Sequence, residues 1–463
     1  MGRSAGGGRR GDRRAEGTPG QERGVHHRRV PPDAARARPW RECGRRMPCH
    51  VRQARQCDRN EEEFVMSRGP ESVFVTGLGA ISPAGAGKER LWDDLCTTTA
   101  RFEELKPIYP GMKPGILSGR VPESARVRAQ ELTGHRPSYG TARSASLFAE
   151  YAALEALGDA GFTPGHPALR NAVVCVGSSD GQADALEDVV AGRCDPADSG
   201  GYSSYSISDD VARAVGSVGP TFTVHNTCAS ANVALSCALE MLQAGVADTA
   251  VVGGVDPYSE KNLIGFNTLQ AIGPHACRPF AKDRRYVTPS EGAGFLVLQT
   301  ERSLTGARSP YAELLASAVN NDASHPTAPD PEGVASCHRM ALAQAGLEES
   351  DIDVIFAHGT GSRANDSIEG AIFQERYPQA AITAIKGTVG HLMGAAGAVG
   401  AVASCMALER RLVPPTNIGH EDVELDINLV TGAPRSLPGL RHVQNNAFGF
   451  GGNNAISIFR SIT

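Results

Sequence analysis

The sequence predicts an α/β fold made of two similar halves. Buried strand signals alternate with amphipathic helix signals from residue 72 onward, and the alternation restarts after Gly292. Two of the helical segments are unusually rich in glycine and alanine. A strand, a helix and a second strand in succession are typical of a parallel sheet covered by helices. The repeated pattern therefore predicts two βαβαβ units that meet near residue 300.

Both halves show short apolar runs bounded by glycine, which predict strands, and a 3.6-residue apolar period, which predicts helices. In the first half the strands are 72–82, 171–179, 221–227 and 249–256, and the helices are 143–162 and 228–245. In the second half the strands are 292–300, 311–321, 353–360, 381–387 and 455–459, and the helices are 338–347 and 394–409. We expect the halves to span residues 66–305 and 306–463.

Two of these helices have an unusual composition. Residues 228–238 carry Ala and Ser at many positions, and residues 394–403 are almost entirely Gly, Ala and Val, with Gly394, Gly397 and Gly400 spaced by three. Glycine costs about 1 kcal/mol relative to alanine within a helix, so close backbone packing must compensate. We expect both helices to be buried between layers at the centre of the molecule.

The first 65 residues differ in charge from the rest of the chain. They hold 16 Arg, no Lys and nine acidic residues, which gives +7, whereas the other 30 basic and 42 acidic residues give −12. The segment lacks a hydrophobic period, which is typical of disorder. A partner- or nucleic-acid-binding arm, a targeting peptide and sequence upstream of a true start at Met66 are the alternatives. We favour the last, or a tail without function, because the acidic residues and the missing apolar stretch argue against targeting signals.

Composition and cysteine spacing limit the class of protein. No apolar run reaches the roughly 18 residues that a membrane span needs. Eleven cysteines are scattered without a CxxC pair, which indicates neither a disulfide framework nor a zinc site. We therefore expect a cytoplasmic enzyme without a metal or other cofactor, and without a membrane or nucleic-acid partner.

Reactive side chains occur in four separated fragments: NTCASANVAL at 226–235, HGTGSRANDSIE at 358–369, KGTVGH at 386–391 and NNAFGFGG at 445–452. Together they supply a thiol, two imidazoles, an ammonium group and a loop of Gly and Phe. These groups suit an enzyme that holds an acyl chain as a thioester and forms a carbanion beside it.

Cys228 is the candidate nucleophile. It lies where a predicted strand meets a helix, so the helix dipole would favour a thiolate and free amides could bind an oxyanion. A buried structural cysteine is the alternative, and it is our interpretation of Cys175 and Cys405. His358 and His391 stand at similar glycine-lined junctions, although a single histidine is more often a packing residue.

The two histidines and Lys386 fit a decarboxylation. Condensing a thioester with a malonyl group releases carbon dioxide, so negative charge builds up on the thioester oxygen, where two imidazole N–H groups can stabilise it. A nearby lysine keeps such imidazoles neutral by like-charge repulsion.

In the order and spacing of these fragments, the chain resembles the ketoacyl-acyl carrier protein synthases of the Cys-His-His type, within the thiolase superfamily. The resemblance covers about residues 72–460 and rests on TCAS, on HGTGS followed by Asp366 and Glu369, on KGTVGH with GAAG, and on NAFGFGG. It implies a thiolase-like fold in which the two halves form a five-layered α-β-α-β-α core.

The resemblance also implies a role for each matching residue. Cys228 would take the acyl chain, His358 and His391 would support decarboxylation of malonyl-acyl carrier protein, and Lys386 with Glu369 would position the histidines. The backbone N–H groups of Cys228 and Phe450 would form the oxyanion hole, and the Phe450 side chain would gate the pocket. A surface salt bridge for Lys386 and Glu369 and a core aromatic for Phe450 are the alternatives. The supporting positions are Phe448, Gly449 and Gly451 around the gate, and Asp366, Thr360 and Asn446 behind the histidines.

Several residues depart from the usual pattern of the family. Asn226 and Thr227 precede the nucleophile where Thr-Ala is usual, and Arg285, Tyr286 and Ser290 stand where Asp, Gly and Gly are normal. These departures favour a specialised polyketide or fatty-acid pathway over housekeeping elongation.

No acyltransferase or carrier-protein motif is present, so the resemblance implies action on acyl- and malonyl-loaded acyl carrier protein in trans, as a homodimer or with a related subunit. Two other functions stay open. A chain-length-type partner subunit without activity usually loses the nucleophile, which this chain retains. A non-decarboxylating acyltransferase of the same fold is favoured only by the altered residues at 226–227 and 285–290. Degradative thiolase is disfavoured because no cysteine follows Cys405.

Overall fold

The structure is a computed structural model and describes residues 71–134, 143–195, 202–304 and 309–462. The Arg-rich leader at 1–65 lies outside the described residues, so the structure does not address its interpretation. None of the helices in the described ranges is long and apolar enough to cross a membrane.

Strands and helices alternate along the described residues. The strands are β1 Val73–Ser82, β2 Gly85–Ala86, β3 Phe102–Glu104, β4 Leu117–Gly119, β5 Val173–Gly177, β6 Thr221–Val224, β7 Thr249–Asp256, β8 Gly292–Thr300, β9 Ala312–Asn321, β10 Val354–Phe356, β11 Ala381–Thr383, β12 Leu412–Val413, β13 Arg435–Ser436, β14 His442–Gly449 and β15 Asn453–Arg460. The α-helices are α1 Lys88–Thr97, α2 Glu123–Thr133, α3 Ser144–Asp159, α4 Ala183–Val190, α5 Tyr205–Val215, α6 Ser230–Gln243, α7 Glu260–Thr268, α8 Pro331–Ala345, α9 Arg363–Arg376, α10 Lys386–Val389 and α11 Ala396–Arg410.

The two halves share one strand order. The strands pair as β6-β5-β7-β8-β1 in the first half and as β11-β10-β14-β15-β9 in the second. In each half the first two pairings are parallel and the next two are antiparallel. The parallel arrangement predicted from the strand-helix-strand order is confirmed for β6, β5 and β7. β8 and β15 run opposite to both of their neighbours, which was not predicted because a buried strand has the same apolar pattern in either direction.

Helices separate and cover the two halves of the sheet. α3 packs on β1, β7 and β8, and α8 packs on β9 and β15. Between the halves, α6 contacts β5, β7 and β9, while α11 contacts β8 and β14. The halves also join at one edge, where β1 pairs with β9 over two positions. The predicted α-β-α-β-α order of layers is confirmed.

The glycines of α11 allow the close packing at the centre. A Cβ atom on Gly397 would lie 2.5 Å from Oδ1 of Asn232 in α6. Nδ2 of Asn445, in β14, donates to that same oxygen at 3.1 Å and to the carbonyl of Gly397 at 2.8 Å. α11 is buried from Ala396 to Leu408, so both small-residue helices lie where their composition predicts.

α8 begins earlier than the sequence predicts. It starts at Pro331 rather than at 338, because Asp330 caps it by accepting a hydrogen bond from the N–H of Gly333 at 2.8 Å. Proline at the first helical position adds to this start signal.

Gly397→Ala tests the contact of α11 with α6. The added methyl would press on Asn232, whose amide is held by the carbonyls of Asn445 and Ala455. We expect the free energy of unfolding to fall by about 1–3 kcal/mol. Gly158→Ala is the matched control, because Gly158 lies in α3 with open space around its added Cβ and should gain up to about 1 kcal/mol. Denaturant titration followed by circular dichroism measures both, and equal changes would contradict the packing argument.

Candidate active site

Cys228 lies at a strained turn between β6 and α6. Thr227 has a φ of 50°, in the left-handed region, which a β-branched residue seldom adopts and which is often found at active sites. Two hydrogen bonds hold the turn: Oγ of Ser230 accepts from the N–H of Asn226 at 2.8 Å, and Oγ1 of Thr227 donates to the carbonyl of Phe450 at 3.0 Å. The turn places the Cys228 side chain against a cavity while leaving it only 8% exposed.

Burial governs the protonation of this thiol. It raises the pKa of Cys228 to about 12, and the positive charge of Lys386 acts in the opposite direction. The thiolate predicted from the helix dipole is therefore not the resting form of the side chain.

His358 follows β10 and is held through its main chain by two buried charges. Glu369, in α9, accepts the N–H of His358 at 2.8 Å and that of Gly359 at 2.7 Å. Lys386, at the start of α10, donates to the carbonyl of His358, and its Nζ lies 3.4 Å from Nδ1 of the imidazole. Since Glu369 and Lys386 are both buried, a surface salt bridge is not their role.

His391 follows α10 and is also fixed by its main chain. Its N–H donates to the carbonyl of Thr288 at 2.7 Å, and its carbonyl accepts from the N–H of Ser290 at 2.9 Å. The rings of His391 and His358 stand edge to face, with centroids 5.4 Å apart and an angle of 85° between their planes. Two elements of the second half thus bring both imidazoles together.

Both imidazoles are kept neutral. Burial lowers the pKa of His358 well below its usual value, and Lys386 and His391 lower it further. Burial and then Lys386 lower the pKa of His391 in the same way. The predicted neutral state agrees with these shifts, although burial contributes more than the charge repulsion that the sequence suggested. Burial also lowers the pKa of Lys386, and Glu369 opposes that shift.

Of the three residues predicted behind the histidines, Asp366 and Asn446 lie outside the lining of the cavity that holds the histidines, whereas Thr360 borders that cavity. Asp366 accepts the N–H of Thr360 at 3.0 Å and that of Phe280 at 2.9 Å, so it fixes the loop between β10 and α9. Nδ2 of Asn446 donates to Glu369 at 3.3 Å. Asn365 was not predicted as a site residue. Its Nδ2 donates to Glu369 at 2.7 Å, and it borders the same cavity as the two histidines. Its position within the HGTGSRANDSIE fragment could have indicated a role in the site.

One cavity of about 290 Å³ brings the predicted residues together, and we call it the histidine cavity. Its lining includes Cys228, His358, His391, Thr360, Phe448, Gly449, Phe450 and Gly451. The described residues contain no group of three or more His, Cys, Asp or Glu side chains that could hold a metal ion.

The Gly-Phe loop after β14 lies against the nucleophile. A Cβ atom on Gly449 would lie 3.0 Å from the main-chain nitrogen of Cys228, so only glycine permits this approach. Phe450 is 37% exposed, and its ring lies 5.8 Å from that of Phe266. Phe450 is therefore not a core aromatic, and it also borders a second cavity of about 310 Å³ that includes Cys228 but neither histidine.

Asp256 is a buried residue that the sequence reasoning missed. It ends β7 and accepts hydrogen bonds from Oγ of Ser178 at 2.6 Å, from the N–H of Asp180 at 2.9 Å and from the N–H of Gly394 at 2.5 Å. It thereby ties the loop after β5 in the first half to the residues before α11 in the second. The sequence could have indicated this residue, because an acidic side chain is unusual at the end of an otherwise apolar strand such as β7.

Two of the unusual residues contact the site directly. Thr227 bonds the carbonyl of Phe450, and the N–H of Ser290 bonds the carbonyl of His391. Nδ2 of Asn226 donates to Asn453 at 3.3 Å, and the ring of Tyr286 lies 5.1 Å from the guanidinium of Arg285.

Comparison with known proteins identifies the family. Residues 70–303 match the beta-ketoacyl synthase N-terminal domain, and residues 311–419 match the beta-ketoacyl synthase C-terminal domain. Nodulation protein E of Rhizobium meliloti is 31% identical over 410 residues, which cover 84% of this chain and 99% of that protein. The 3-oxoacyl-acyl-carrier-protein synthase 2 of Rhizobium meliloti (strain 1021) is 32% identical over 422 residues, with the same coverage.

A solved structure agrees with this match. The ishigamide ketosynthase/chain length factor superposes with a TM-score of 0.78 at 32% identity, over 85% of this chain and all of that chain. The matched domains span most of the sequence, and they carry the cysteine and both histidines of the histidine cavity. The protein belongs to the beta-ketoacyl synthase family.

Proposed function

We propose that this ketosynthase condenses an acyl group held on Cys228 with malonyl-acyl carrier protein, with loss of carbon dioxide, in a specialised polyketide or fatty-acid pathway. The observation that carries the proposal is the histidine cavity, where one thiol and two neutral, edge-to-face imidazoles share about 290 Å³. Thiol and imidazoles come from different halves, so the cavity depends on the whole fold.

Acyl transfer is the first step. The Cys228 sulfur attacks the carbonyl carbon of the acyl thioester, a new carbon–sulfur bond forms, and the carrier thiol leaves with a proton. Because burial holds a proton on Cys228, a neutral imidazole has to accept it before or during the attack. The N–H groups of Cys228 and Phe450 would stabilise the tetrahedral oxyanion, and the close approach of Gly449 to the main-chain nitrogen of Cys228 supports this assignment.

Decarboxylation and condensation follow. The bond between the malonyl carboxylate and the α-carbon breaks, carbon dioxide leaves, and the electron pair forms an enolate. His358 and His391 donate N–H hydrogen bonds to the enolate oxygen, which neutral imidazoles can do with one nitrogen each. The carbanion then attacks the acyl carbonyl on Cys228, and the sulfur leaves and recovers its proton.

The position of Phe450 supports its role as a gate. Its ring borders both the histidine cavity and the second cavity, and it packs on Phe266 rather than in the core. Rotation of this ring would open the second cavity to an acyl chain attached to Cys228.

We infer that the enzyme works in the cytoplasm on carrier proteins, either as a homodimer or paired with a related ketosynthase-like subunit. The carrier protein is supported by the name of the related 3-oxoacyl-acyl-carrier-protein synthase 2. The related subunit is supported by the similar structure of the ishigamide ketosynthase/chain length factor. β6 ends the sheet in the described residues, and Tyr205 and Val218, near that edge, are 55% and 75% exposed. An unpaired edge strand flanked by apolar side chains is suited to pairing with another chain.

Cys228→Ala should abolish acylation of the enzyme by an acyl-loaded carrier protein, because no other sulfur among the described residues borders the histidine cavity. Intact-protein mass spectrometry measures the added acyl mass. Cys237→Ala, in the helix that follows Cys228 and partly exposed, is the control and should acylate like the wild type. Acylation of the Cys228→Ala protein would contradict the assignment of the nucleophile.

His391→Ala and His358→Ala should each lower formation of ketoacyl product by about 10²–10⁴-fold, because the enolate loses a fixed donor. Acylation of Cys228 should persist in each single variant, because the remaining imidazole can accept the thiol proton. Chromatography of the ketoacyl carrier and mass spectrometry of the acyl-enzyme separate the two steps. His442→Ala, outside the cavity, is the control. Wild-type acylation without product would favour the non-decarboxylating transferase, and no acylation at all would favour an inactive partner subunit.

Alkylation of Cys228 by iodoacetamide should speed up about tenfold per pH unit between pH 7 and 9. At any pH well below the raised pKa of the thiol, the thiolate fraction increases about tenfold for each pH unit. Lys386→Met removes the charge that lowers this pKa, so labelling should be slower at each pH, whereas the exposed Lys282→Met should change nothing. Peptide mass spectrometry measures the rate at Cys228. A rate that is level between pH 6 and 8 would show a resting thiolate instead.

A further inference from the structure

The second cavity borders Phe450 but neither histidine, and its lining has a polar and an apolar set of side chains, which we call the polar wall and the apolar wall. Phe266, Leu269 and Met393 form the apolar wall, and Ser179, Asp180, Lys261 and Asn262 form the polar wall. Cys228 borders the cavity between them. An acyl chain that leaves the Cys228 sulfur away from the histidines would therefore contact both walls.

The polar wall is held in place by several hydrogen bonds. The Asp180 carboxylate is 2% exposed, pairs with Nζ of Lys261 at 2.5 Å and accepts a hydrogen bond from Nδ2 of Asn262. Its main-chain N–H donates to Asp256 at 2.9 Å. Glu187 accepts the N–H of Lys261 at 2.9 Å, which fixes the start of α7. Side chains held in this way keep a defined geometry toward a ligand.

Ser179 adds an unused hydrogen-bonding group to this wall. Its Oγ is buried, and no partner for it exists within the described residues. A buried hydroxyl without a partner costs free energy that a hydrogen bond from a ligand would recover. The residue borders the second cavity, and rotation about its Cα–Cβ bond would turn the buried Oγ toward a ligand there.

We propose that this polar wall selects acyl chains that carry keto or hydroxyl oxygens over saturated alkyl chains of the same length. The Ser179 hydroxyl, the Asn262 amide and the Lys261 ammonium can donate to a keto oxygen, and Asp180 can accept from a hydroxyl. An alkyl chain would cover these groups without replacing their hydrogen bonds, and such mismatches discriminate more strongly than a difference in size. The inference rests on the proposed function, because it takes Cys228 as the point of acyl attachment.

The test compares matched thioesters on the full chain. Hexanoyl-, 5-oxohexanoyl- and 5-hydroxyhexanoyl-pantetheine are supplied separately, and the rate of Cys228 acylation is followed by intact-protein mass spectrometry. We expect the oxygenated chains to react at least tenfold faster in kcat/KM than the alkyl chain. Equal rates, or a faster alkyl chain, would overturn the inference.

Variants of the wall locate the preference. Asp180→Leu combined with Lys261→Met should shift the ratio of rates at least tenfold toward hexanoyl, and Ser179→Ala should shift it in the same direction by a smaller factor. Lys282→Met, outside the cavity, should leave the ratio unchanged. An unaltered ratio in the folded wall variants would overturn the assignment. If the double variant does not fold, the ratio of acylation rates in the Ser179→Ala variant tests the assignment.

The outcomes separate the two proposals. If no thioester acylates Cys228, the proposed function fails together with the inference. If all three acylate Cys228 at equal rates and the enzyme still forms ketoacyl product with malonyl carrier protein, the function stands and the selectivity of the polar wall fails.

Discussion

The close approach of α11 to the first half of the molecule is the constraint on which the active site depends. Asn232 and the loop after β5 occupy the space that side chains on Gly397 and Gly394 would need. This approach brings the residues before α11, including His391, beside the start of α6, where Cys228 lies. Glycine lowers the intrinsic stability of α11, and burial against α6, β8 and β14 compensates for it.

Three buried charged side chains of the site act on the backbone. Glu369, Lys386 and Asp256 all hold main-chain groups of loops that carry reactive residues. Their charges are balanced by hydrogen bonds in a site with little solvent, where fixed dipoles interact strongly with developing charge. The same lack of solvent keeps both imidazoles neutral and the thiol protonated, so the resting site carries the donors that an enolate requires.

Much of the fold and of the reactive set could be predicted from the sequence. Apolar runs located β1, β5, β7 and β9 to within two residues, and the motif spacing identified the thiol, both imidazoles and the Gly-Phe loop that border the histidine cavity. Strand direction could not be predicted, since a buried strand looks alike in both orientations. Asp180 and Lys261 also escaped notice, because they lie 81 positions apart and meet only through the packing of α7 against the loop after β5.

The measurement that tests this account most directly is the carbon dioxide released from carboxyl-labelled malonyl carrier protein in a single turnover of enzyme already acylated on Cys228. If the two halves form one condensing site, each ketoacyl product is accompanied by one molecule of carbon dioxide, and both depend on the acyl group on Cys228. Transfer of the acyl group to an acceptor without release of carbon dioxide would contradict the account.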